Sequence, residues 1–68
     1  MIVQFRLIDR AGINRLKWIL RSLGASKRYA GWVVQDIRYG GIGLDCELPN
    51  GKTVSIRWDI AYNATICY

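Results

Sequence analysis

A chain of 68 residues with ten Lys and Arg against five Asp and Glu, net charge +5, fits one small domain spanning residues 1–68. Its 51% hydrophobic content, with three Trp and four Tyr, excludes a disordered chain, and no run approaches the ~18 apolar residues of a membrane span. The chain has no histidine, and its two cysteines, Cys46 and Cys67, lack CxxC spacing, which excludes a zinc site of the usual kind.

Residues 2–8 (IVQFRLI) alternate, with Val3, Phe5 and Leu7 on one side and Gln4 and Arg6 on the other, and predict a first strand. Asp9 stands where a helix N-cap belongs, with Asn14 as a competing start, and Gly12 weakens the first turn. Residues 13–23 (INRLKWILRSL) predict a helix whose apolar face is Ile13, Leu16, Ile19, Leu20 and Leu23. At ~100° per residue, Trp18 points roughly 160° away from the centre of that face, among Asn14, Arg15, Arg21 and Ser22. Gly24 suits a left-handed C-cap, and Lys27 and Arg28 just beyond favour the negative end of the helix dipole.

Residues 29–39 (YAGWVVQDIRY), with apolar groups on both sides, predict a second strand, and Gly40-Gly41 a tight two-residue hairpin. Residues 42–48 predict a third strand, with Ile42, Leu44, Cys46 and Leu48 facing one way and Asp45 and Glu47 the other. Around Pro49-Asn50-Gly51, a three-residue loop with Gly51 left-handed pairs Cys46 with Val54, Leu44 with Ile56 and Ile42 with Trp58. The same register sets Glu47 opposite Thr53 and Asp45 opposite Ser55, with Arg57 diagonal to Asp45. A fourth strand is predicted over residues 52–60, with Val54, Ile56, Trp58 and Ile60 inward. A turn at Asn63 and a short fifth strand over 65–68 follow.

The expected class is α+β: a β-α-β-β-β domain with an optional final strand, its sheet mainly antiparallel and its one helix packed on one face. Were the first two strands neighbours, their crossover would be parallel and right-handed. Trp32 and Val34, placed on the uncovered side of the second strand, imply a homodimer through the sheet face or edge, or a second contact surface.

The residues do not assemble an enzyme. Neither cysteine has a histidine beside it, and apolar neighbours raise a thiol pKa rather than lower it. Gly40-Gly41-Ile42-Gly43 lacks the Lys-Ser/Thr and the following helix of a phosphate loop. Asp45 and Glu47 have cross-strand partners, which leaves no metal set from Asp36, Asp45, Glu47 and Asp59, and no cofactor is expected. The first ten residues lack a basic n-region and a small-residue cleavage site, so the expectation is a cytoplasmic protein. Without a secretory signal the Asn63-Ala64-Thr65 sequon carries no weight.

Binding remains. Six of the ten basic residues, Arg10, Arg15, Lys17, Arg21, Lys27 and Arg28, fall within nineteen positions. The expected partner surface is Asn14, Arg15, Lys17, Trp18, Arg21, Lys27 and Arg28, because Trp and Arg dominate interface hot spots. The leading expectation is a small regulator or inhibitor, of the kind phages and mobile elements direct at host defence or transcription machinery. Its partner would be a protein with an acidic or nucleic-acid-handling surface, and no membrane partner is expected. The alternative is direct DNA or RNA binding, with Asn14, Lys17 and Arg21 tracking phosphates and Trp18 stacking on a base. The bland counterpart is a solubilising basic face, with Trp18 covered by the C-terminal segment or a second subunit.

Overall fold

The computed structural model describes all 68 residues. Its elements are β1 (Ile2–Arg6), α1 (Arg10–Ser22), α2 (Lys27–Arg38), β2 (Gly43–Glu47), β3 (Thr53–Trp58) and β4 (Asn63–Cys67). The strands form one sheet in the order β1-β4-β3-β2, with every pairing antiparallel. The protein is therefore a small α+β domain built on an antiparallel sheet. Both helices join the strands in one core, to which Leu16, Leu20, Ala30, Val33, Val34 and Ile37 contribute from the helices.

The segment expected to be a second strand is α2. Ala30, Val33, Val34 and Ile37 are its buried residues, spaced i, i+3, i+4 and i+7, which is one face of a helix. Ser26 caps it, its hydroxyl accepting a hydrogen bond from the Tyr29 amide at 3.1 Å. The β-branched residues that favour a strand are outweighed here by this period and cap. Gly40 and Gly41 accordingly form no hairpin. They lead from α2 into β2 with φ of 111° and 92°, and the Gly40 amide closes the helix end on the Ile37 carbonyl.

The rest of the chain follows its hydrophobic alternation more closely. Asp9 caps α1, its carboxylate accepting from the Gly12 amide at 2.7 Å. Gly12 is required rather than merely tolerated: a Cβ there would lie 1.7 Å from the Arg6 carbonyl oxygen, so α1 meets the end of β1 with no room for a side chain. Gly24, with φ of 107°, ends α1 as expected. In the β2–β3 hairpin, Leu44 pairs with Ile56, Cys46 with Val54, Asp45 with Ser55 and Glu47 with Thr53. Gly51 takes the left-handed position with φ of 83°.

Corrections fall at the strand ends. Ile42 bonds through its carbonyl to the Trp58 amide but precedes β2 and is exposed. β3 ends at Trp58, so Ile60 faces water instead of the core. The final turn occupies residues 59–62 rather than Asn63, which begins β4. Asp59 shapes that turn by accepting from the Ala61 and Asn63 amides at 2.9 and 3.0 Å. β4 then inserts between β1 and β3, so β1 and β2 are opposite edges and no parallel crossover forms. Cys46 and Cys67 are free thiols on strands that are not neighbours.

Candidate interaction surface

The two helices carry seven of the ten basic residues: Arg10, Arg15, Lys17, Arg21, Lys27, Arg28 and Arg38. Asp36 is the single acid among them. Neither helix has an acidic residue in its first turn; instead Arg10 opens α1, and Lys27 and Arg28 open α2. This corrects the role expected for Lys27 and Arg28 as residues trailing the end of α1. A cation at a helix N-terminus opposes the macrodipole, so helix stability does not account for these positions.

Trp18 is 75% exposed, so neither the C-terminal segment nor any other part of the chain covers it. It shares a shallow hollow of about 300 Å³ with Arg21 and Ser22. Asn14 and Lys17 lie in a separate hollow of about 250 Å³ with Arg10, Ile8 and Arg38, the last contributed by the end of α2. Arg15 turns toward β1, its guanidinium over the Phe5 ring at 4.7 Å, and so helps to hold the fold as well as bordering the surface.

Sequence reasoning missed the contribution of α2. Arg28, Trp32, Gln35 and Tyr39 follow one another at i, i+4, i+7 and i+11, which puts them on one helical side, and all four are exposed. Trp32 is 58% and Tyr39 87% exposed. The signal was present in the sequence as the complement of the buried Ala30, Val33, Val34 and Ile37 set. Trp32 and Arg28 also line a groove of about 570 Å³ between α2 and the β2–β3 hairpin, with Tyr29, Glu47, Leu48 and Pro49.

The molecule's one ion pair, Arg57 to Asp45 at 3.0 Å, lies on the sheet, away from the helices. The Arg57 and Ser55 hydrogen bonds hold the Asp45 carboxyl below its ordinary pKa. Asp59 is also held low, by the Asn63 amide and side chain and the Ala61 amide. Burial pushes the Cys46 thiol up from its ordinary pKa. No three His, Cys, Asp or Glu side chains come together to hold a metal ion. The homodimer expectation rested on Trp32 and Val34 lying on the sheet; both lie on α2, with Val34 in the core. No protein-family model, curated protein or solved structure matches the chain.

Proposed function

We propose that the chain is a non-enzymatic binding protein that docks an acidic protein surface against the outer side of its two helices and regulates or inhibits that partner. One observation carries the reading: Trp18, Trp32 and Tyr39 stand exposed among seven cations that make no ion pair. Exposed aromatics together with Arg are the usual composition of a protein hot spot. Trp18 is the anchor, with Arg21 beside it, and α2 extends the surface through Arg28 and Trp32. Cations without carboxylate partners in the free protein are available to an acidic partner, which they steer and orient.

A second reading, direct nucleic-acid binding, is favoured by the row Arg10, Asn14, Lys17 and Arg21. At i, i+4, i+7 and i+11 the row runs along one side of α1. It is about 16 Å long, enough to follow several phosphates. Capture from lysate with the wild type and with Trp18→Ala separates these readings. The protein reading expects one defined protein, retained by the wild type at physiological salt and lost with Trp18→Ala. The nucleic-acid reading expects shifted DNA or RNA whose affinity falls steeply with salt. Retention of every captured species by Trp18→Ala would remove Trp18 from both.

A further inference from the structure

We propose that the end of the domain where β1 and β3 finish is an attachment point for an anionic lipid surface, adjoining the helix face assigned above, sharing Tyr39, Arg10, Lys17 and Arg38 with it but not its anchor Trp18. Antiparallel order brings three connections to this end: residues 7–9 after β1, 39–42 after α2 and 59–62 after β3. The Leu7 amide bonds to the Tyr62 carbonyl and the Trp58 amide to the Ile42 carbonyl, which ties the three connections together. Each presents large apolar side chains to water: Ile8, Tyr39 with Ile42, and Ile60, of which Ile42 is 78% and Ile60 99% exposed.

These are apolar tips on separate loops, and only Ile8 enters a hollow of any size. Tips of this kind enter a headgroup layer without needing a shape-matched partner. The turn that carries Ile60 is closed by its own hydrogen bonds, from the Tyr62 amide to the Asp59 carbonyl and from the Ala61 and Asn63 amides to the Asp59 carboxylate. Ile60 therefore approaches an apolar layer with much of its loop's backbone already satisfied. Arg10, Lys17 and Arg38 stand behind the tips around the hollow that contains Ile8. Arg6, at the end of β1 and close enough to act on Asp59, is a fourth cation, against three acids: Asp9 and Asp59, whose carboxylates are turned onto backbone amides, and Asp36 in the last turn of α2. Apolar tips backed by cations that outnumber the acids match the chemistry of anionic headgroups over acyl chains.

No helix here is long and apolar enough to cross a membrane. The expectation of no membrane partner rested on the lack of such a span, which has no bearing on contact with a membrane surface. The test is co-sedimentation of the full chain with phosphatidylcholine vesicles, with and without phosphatidylglycerol. The wild type is expected to sediment with the mixed vesicles and not with phosphatidylcholine alone. Ile60→Glu and Ile42→Glu, at side chains outside the core, are expected to abolish sedimentation at an unchanged melting temperature. Arg10→Ala or Arg38→Ala is expected to weaken it about fivefold each. Trp18→Ala is expected to leave it intact, so the lipid inference and the protein-partner reading fail separately. Absence of vesicle binding by the wild type overturns the inference. So does binding that survives both Ile→Glu changes, or a self-association that Ile60→Glu removes in the absence of vesicle binding.

Discussion

On the open side of the sheet, Asp45 accepts hydrogen bonds from Ser55 and Arg57, and Gln4 reaches Thr65 from β1 to β4. On the helices, seven cations stand without a carboxylate partner, Arg15 alone of them turned to β1 over Phe5, and Trp18, Trp32 and Tyr39 are exposed. Both surfaces face water, yet the first spends its polar groups on its own strands and the second leaves them free. A surface whose charges are answered within the chain explains itself by folding. One where Arg10, Lys27 and Arg28 oppose the dipoles of their own helices and the aromatics remain wet is not accounted for by folding, which is what the proposed partner would explain.

This contrast breaks most readily at the tryptophans. Changing both Trp18 and Trp32 to Ala is expected to abolish partner binding, while Arg57→Ala on the sheet side leaves it unchanged. Comparable losses from both variants, measured by calorimetric titration, would erase the distinction between the two surfaces. Gly12→Ala acts on the fold beneath the helix surface, because its Cβ has no space beside the Arg6 carbonyl. It is expected to lower stability by about 1–3 kcal/mol in denaturant unfolding, with binding lost only as the folded fraction falls.

Acid acts on the sheet and its turn first. The carboxyls of Asp45 and Asp59 titrate below their ordinary range in the folded chain, so the stability they add is present above their unfolded pKa. It is lost as pH falls through their lowered folded values, that is, below about pH 4. Thermal melts of the wild type are expected to drop over that interval, and those of Asp59→Asn to drop less. The smallest effect belongs to Gly31, where an added Cβ meets nothing within 4 Å. Gly31→Ala is expected to stabilise α2 by about 0.5–1 kcal/mol and leave binding unaltered, as read by chemical denaturation.

The sequence made the β2–β3 hairpin legible because two independent signals agreed. Its alternation gave Leu44, Cys46, Val54 and Ile56 one face, and Gly51 fixed the turn that aligns them. α1 was legible for the same reason, with Asp9, Gly24 and a single apolar stripe concurring. α2 was not, because Val33, Val34 and Ile37 suit a strand by residue type and a helix by spacing, and the Ser26 cap precedes the strand-like run that begins at Tyr29. That one segment hid part of the candidate surface, since Tyr39 shares a side with Arg28 and Trp32 only in a helix. The grouping of Ile8, Ile42 and Ile60 at one end depends on strand order, which local pattern does not carry.

The central claim is that Trp18 anchors a partner without supporting the fold. Its most direct test is the affinity of Trp18→Ala for the protein captured by the wild type, with the melting temperature measured on the same samples. The expected result is a loss of at least about 30-fold in affinity at an unchanged melting temperature. Wild-type affinity in the variant, or a melting temperature lowered by several degrees, would contradict it.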